Sequence, residues 1–157
     1  MTSVSDSASL TAPERRLRVL LRFFAVLFGL GAITFFAQAG ETLANLDRVG
    51  TALGLSPLPT RAEYAGADFW LVLAVANMAT IAACCWLAAA DVRGRRALVY
   101  PLVVSKLTSS AAGLALFLVP PHAFAYLSAT LVDLPIALVT LAALHATTLP
   151  PGPRHRI

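Results

Sequence analysis

The chain has 157 residues, 58% of them hydrophobic and 13% charged, with a net charge of +4. So apolar a composition at this length excludes an ordinary soluble domain and places the chain among integral membrane proteins. The positive balance is no nucleic-acid signature, because the arginines are spread between apolar stretches rather than gathered on one soluble surface.

Crossing a hydrocarbon core of about 30 Å takes roughly 20 apolar residues in a helix. Four stretches qualify, at about 19–39, 68–90, 97–119 and 124–146. They are continuous apolar runs rather than alternating ones, so helices are expected and not barrel strands. The expected fold is all-α: an antiparallel bundle of four transmembrane helices within 11–148. A disordered, Ser-rich tail at 1–10 precedes it, and a Pro/Arg-rich tail at 149–157 follows.

Thr11-Ala12-Pro13-Glu14 reads as a capping box, with a hydroxyl cap, a proline in the first turn and a carboxylate three residues after the cap. A helix should therefore start before the first apolar stretch. That stretch also has signal-peptide features. Arg15-Arg16 precede an apolar run from Phe23 to Phe36, and Ala37-Gln38-Ala39 has the small-x-small pattern of a cleavage site. The run is at the upper length limit for a signal peptide, and the later stretches already explain insertion, so helix 1 is expected to be retained. In the outer loop from Gly40 to Ala67, Leu43, Leu46, Val49 and Leu53 recur at helical spacing. They predict a short amphipathic helix on the outer surface, ended by Gly54, Pro57 and Pro59.

The second stretch holds Asn77 and the adjacent pair Cys84-Cys85. Neighbours at i,i+1 point to different sides of a helix, so the cysteines read as small packing residues. The basic loop from Asp91 to Arg96 and the turn at Pro120-Pro121 are tight. They predict packed antiparallel neighbours, helix 2 with 3 and helix 3 with 4. Nine arginines lie before helix 1, between helices 2 and 3, or after helix 4, whereas only Arg48 and Arg61 lie on the opposite side. The positive-inside rule then puts both termini in the cytoplasm, with a bacterial inner membrane as the expected location.

Lys106 is the chain's only lysine, and it sits within the third apolar stretch. An ammonium at that depth costs about 2.5–3.5 kcal/mol on insertion scales, so it should face the interior and have a partner. Asp133 is the only carboxylate deep inside any of the four stretches. By helical rise, Lys106 lies about 13 Å and Asp133 about 20 Å above the inner ends of their helices, and Asn77 about 13 Å below the outer end of its own. The three polar groups are expected to meet. Ser109 and Ser110, three and four residues after Lys106, could solvate the ammonium. Ser105, Ser109 and Gly113 form a ridge of small residues for close helix approach. Pro135 has no N–H for the carbonyl of Leu131, so helix 4 is expected to kink beside Asp133. His122 and His145 are about 35 Å apart along one helix and cannot share a haem, and His155 belongs to the tail. No metal site or other cofactor is expected from these residues.

The run Arg22-Phe23-Phe24-Ala25-Val26-Leu27-Phe28-Gly29-Leu30-Gly31, the outer-loop segment Leu53-Gly54-Leu55-Ser56-Pro57 and the tight later turns resemble the small four-helix DoxX-like membrane proteins. That resemblance implies a link to quinone or redox membrane complexes, with a quinone as the cofactor. Such proteins usually carry a lysine soon after the helix 1 glycine. Ala32 to Gln38 has none, so no site residue is carried over. Three functional expectations follow. The first is a non-catalytic accessory or interaction subunit with membrane-protein partners or a homo-oligomer. The second is a quinone-linked redox subunit. The third is a small proton-coupled carrier using Lys106 and Asp133. The Lys106–Asp133 pair, with Asn77, Ser109 and Ser110, serves either as a structural lock or as a binding site.

Overall fold

The computed structural model describes residues 9–58 and 67–148. The expected tail at 1–10 lies outside the described residues except for Ser9 and Leu10. The tail at 149–157, with His155, and the loop residues Pro59, Arg61, Glu63 and Tyr64 also lie outside them. The described chain forms four α-helices: α1 (Ala12–Ala52), α2 (Ala67–Ala90), α3 (Tyr100–Phe117) and α4 (Phe124–Ala146). A 3-10 helix at Arg96–Val99 leads into α3. Each of the four is long and apolar enough to cross a membrane.

Helix α1 begins as its sequence dictates. Thr11 Oγ1 accepts from the Glu14 N–H, and Glu14 Oε2 accepts from the Thr11 N–H at 2.7 Å. The same carboxylate grips the loop after α2, with Arg93 Nε and Nη2 donating to its two oxygens at 2.6 and 2.8 Å. Glu14 lies ahead of the apolar stretch that begins at Val19. Its hydrogen bonds from Arg93, helped by the Thr11 N–H, lower its carboxyl from 4.5 to about 2. At the same end of the bundle, Arg96 donates to the Leu144 carbonyl at 2.7 Å, placing a cation at the C-terminus of α4.

At 41 residues, α1 is about 60 Å long, twice the hydrocarbon thickness. It breaks once, at Gln38 (φ −141°, ψ 36°), where the Thr42 hydroxyl takes the Gln38 carbonyl at 3.0 Å. The amphipathic helix expected in the outer loop is thus the continuation of α1 beyond this kink. It does more than lie on a surface. Gly50 is buried against the first residue of α4, where an added Cβ would stand 2.6 Å from Phe124 Cβ. The extension ends in a Schellman motif, with Leu55 N–H on the Gly50 carbonyl, Gly54 N–H on that of Thr51, and Gly54 at φ 75°. Asp47 then holds the outgoing chain through the Leu58 N–H at 2.9 Å.

The buried face of α1 carries Leu17, Leu21, Phe24, Phe28 and Ala32 at helical spacing. Against it pack Ile81, Cys85 and Ala88 of α2, Val99 and Leu102 at the entry to α3, and Leu144 of α4. Helix α1 packs along α2, and α3 along α4. Helices α2 and α3, expected to pack as a hairpin, meet at only a few points. Helix α2 instead packs on the 3-10 turn, while the small-residue ridge of α3 commits that helix to α4. An added Cβ at Gly113 would stand 2.6 Å from the Tyr126 carbonyl oxygen and 3.1 Å from Thr130 Oγ1. Helix α4 runs without interruption through Pro135, which is exposed.

Candidate functional site: an intramembrane ion pair

Lys106 is 8% exposed, and its Nζ lies 2.9 Å from Asp133 Oδ1. Both side chains are almost enclosed, at 10% and 13% exposure. The pair joins α3 to α4, where Ser109 bonds Asp133 and Gly113 lets the helices come close. The second carboxylate oxygen, Asp133 Oδ2, accepts from the Ser109 hydroxyl. The same hydroxyl has the Lys106 carbonyl 3.2 Å away as an alternative acceptor.

Helix α1 supplies the third wall. The Lys106 ammonium sits 4.6 Å from the centroid of the Phe28 ring, a cation–π contact in a place with little water. Phe28 is 5% exposed and belongs to the apolar ladder of α1. One ion pair therefore ties three helices: α3 through Lys106, α4 through Asp133 and α1 through Phe28.

Two residues expected at the site take other roles. The Ser110 hydroxyl donates to the Lys106 backbone carbonyl at 2.7 Å rather than serving the ammonium. A serine four residues on naturally returns to its own helix. The carbonyl of Ser110 in turn accepts from Thr130 Oγ1 at 2.9 Å, a further bond between α3 and α4. Asn77 does not reach the pair. Its Nδ2 donates to Ser105 Oγ at 3.1 Å, the residue next to Lys106, and its side chain stays exposed. Phe28 is the participant that sequence reasoning missed. Its only signal was its position about 13 Å into the first apolar stretch, a depth like that of Lys106.

Beside the ion pair, a groove of about 520 Å³ runs between α2 and α3, with Asn77, Pro101, Ser105, Thr108, Ser109 and Ala112 among its walls. Ser109 thus touches the groove on one side and Asp133 on the other. An apolar groove of about 470 Å³ lies between α1 and α2, along Gly29, Ile33, Phe36, Val75 and Ala79. Among the described residues no group of three or more His, Cys, Asp or Glu side chains could hold a metal ion. His122 turns its Nδ1 to the Phe117 carbonyl at 2.7 Å, and Cys84 and Cys85 are free thiols. No protein-family model, curated protein or solved structure matches this chain.

Chemically, the pair holds two opposite charges in contact, with a hydroxyl on the anion and an aromatic face on the cation. Such an arrangement can lock helices in register or carry a proton between carboxylate, ammonium and hydroxyl.

Proposed function

We propose that this chain is a multi-pass protein of a bacterial inner membrane, an antiparallel four-helix bundle with both termini in the cytoplasm. It works as a non-catalytic accessory or interaction subunit. The arginine distribution supports the orientation. The observation that carries the functional reading is the completeness of the Lys106–Asp133 contact. Each carboxylate oxygen has a donor, the ammonium has a carboxylate and an aromatic face, and three helices converge on it. A lock of that kind fixes helix register and leaves the outer faces of the bundle for partners.

A second reading, a small proton-coupled carrier, is favoured by one observation: Ser109 bridges Asp133 and the groove. The DoxX-like layout adds a redox variant, in which a quinone would use that same groove. One experiment separates these readings. The full chain is purified in mild detergent, its absorbance and bound small molecules are recorded, and it is reconstituted into vesicles with an internal pH dye. The subunit reading expects a colourless protein without bound quinone, and vesicles that hold an imposed pH gradient as well as empty ones. A gradient that collapses with the native chain and survives with Asp133→Asn would replace that reading with the carrier. A stoichiometric quinone would replace it with the redox subunit.

A further inference from the structure

Helices α1 and α2 leave two hollows along their seam. One, of about 100 Å³, is lined by Arg22 of α1 and by Trp86, Ala89 and Ala90 of α2. The other is the apolar groove of about 470 Å³ along Gly29, Ile33, Phe36, Val75, Ala79 and Ala82. Their linings keep step. On α1, Arg22, Gly29 and Phe36 recur every seven residues; on α2, Ala89, Ala82 and Val75 do so in the opposite sense. Seven residues make nearly two turns, so each set lies on one helix face at steps of about 10 Å. The two hollows therefore follow one line about 20 Å long, cationic at one end and apolar along the rest.

The cationic end has no counter-ion within the chain. Arg22 makes no ion pair or hydrogen bond among the described residues. Arg18 stands one turn before it on the same face, and its Nε is enclosed with no hydrogen-bond partner among the described residues. Glu14, a further turn back, has both oxygens taken by Arg93. Asp91, next to Ala90, turns to the Gly94 N–H at 2.9 Å.

Depth and charge select the occupant. Arg22 lies about one turn inside the apolar stretch that begins at Val19, and Trp86 beside it is 62% exposed. Arginine and tryptophan so placed sit at headgroup level. The anions at that level are lipid phosphates, which arginine grips with two parallel hydrogen bonds. A zwitterionic headgroup would bring its ammonium to two arginines with no free carboxylate beside them, so an acidic headgroup fits better. A second copy across a two-fold axis would set these arginines against their own image. Any lipid tail suits the apolar groove; the arginines make the choice, and the groove holds the chosen lipid in one place.

We propose that the α1–α2 seam binds one anionic glycerophospholipid, its phosphate on Arg22 and Arg18 and an acyl chain in the groove over Gly29. This assignment goes beyond the subunit reading and needs only the four spans. The test uses the full chain with Trp70→Phe, which leaves Trp86 as the only tryptophan, in phosphatidylcholine vesicles. Phosphatidylglycerol or phosphatidylcholine with brominated acyl chains is added in rising fraction, and quenching of Trp86 is read. The brominated phosphatidylglycerol should quench at a fraction lower by about fivefold or more. Arg22→Gln should reduce that preference about fivefold. Gly29→Leu should reduce it too, by filling the groove. Both variants should fold, since Arg22 is exposed and a Cβ at Gly29 meets nothing within 4 Å; circular dichroism checks this. Arg95→Gln removes the same charge from the adjoining loop and should leave the preference intact. A native chain without preference would overturn the proposal. An equal fall for Arg22→Gln and Arg95→Gln would overturn it as well, since diffuse attraction then suffices. So would a preference abolished by inorganic phosphate but indifferent to Gly29→Leu, which would assign the arginines to a free anion.

Discussion

If Lys106 and Asp133 form one unit, losing both should hurt no more than losing one. The Nζ–Oδ1 distance of 2.9 Å sets the scale. Two unit charges this close attract by about 6 kcal/mol at an effective dielectric of about 20. Desolvation of the two ions offsets most of that, at several kcal/mol each. Among the described residues, Lys106→Met leaves the carboxylate with only the Ser109 hydroxyl, and Asp133→Leu leaves the ammonium with only the Phe28 ring. In soluble proteins such single losses cost about 3–5 kcal/mol, whereas replacing both partners by apolar side chains is often neutral. Hydrogen bonds between membrane helices average about 0.6 kcal/mol and reach about 1.7, because the unfolded chain also finds polar partners in the bilayer. Full charges should exceed those values, so a coupling of about 2–4 kcal/mol is expected between the two limits. Ser109 is not stranded in the Asp133 variant, since the Lys106 carbonyl lies 3.2 Å from its hydroxyl. The assay is unfolding in mixed micelles with increasing dodecyl sulfate, followed by tryptophan fluorescence, on Lys106→Met, Asp133→Leu and the double variant. The double variant should be no less stable than the weaker single one. Simple addition of the two losses would refute the reasoning, because residues that do not interact behave in that way.

Other substitutions report on the surroundings of the pair. Phe28→Leu keeps an apolar wall but removes the aromatic face 4.6 Å from the ammonium; it should cost about 0.5–2 kcal/mol in the same titration beyond its loss of core packing, and that extra loss should vanish in a Lys106→Met background. Gly113→Leu forces a side chain against the Tyr126 carbonyl and should destabilise by about 1–3 kcal/mol or more, with Gly113→Ala intermediate. Glu14 has a carboxyl held at about 2, below its unfolded value, so its contribution is complete above roughly pH 5 and is lost as pH falls toward 2; melting curves of the native chain and Glu14→Gln should differ near neutrality and converge at low pH. A reporter that is active only in the periplasm should stay silent when fused after Ile157, and an active fusion would reverse the orientation.

The four spans were legible because each is a continuous apolar run, a signal that needs no tertiary knowledge. Lys106 and Asp133 were legible for the opposite reason, as the only charges deep within those runs. Of the ridge at Ser105, Ser109 and Gly113, the last two mark where α3 approaches α4, while Ser105 turns to Asn77 of α2. Phe28 was hidden, because an aromatic ring in an apolar run looks the same whether it meets lipid, core or an ammonium. The kink at Gln38 was hidden too: helical spacing resumes beyond it, and periodicity does not say whether two helical segments are joined. Asn77 meets α3 at Ser105, the neighbour of Lys106, and makes no hydrogen bond to the ion pair itself, since rise per residue gives depth but not the side from which a helix arrives. The loose contact of α2 with α3 escaped the rule that a short loop joins packed neighbours, which is silent about competition from a better-fitting third helix.

The two charges of the ion pair are synthesised at different moments. Asp133 follows Lys106 by 133 − 106 = 27 residues. At a synthesis rate of about 5–20 residues per second, the lysine waits roughly one to five seconds for its counter-ion. During that interval an insertion cost of about 2.5–3.5 kcal/mol is uncompensated by any carboxylate of the bundle. Helix α3 is therefore poorly suited to leave the insertion machinery alone. The turn between Phe117 and Phe124 is short enough to let α3 and α4 depart together as a single neutralised hairpin. Helix α1, already in the bilayer, would then receive that hairpin at both ends of α4, through Gly50 at one and the core beneath Leu144 at the other. Closure of the bundle is thereby deferred until its last helix has been made.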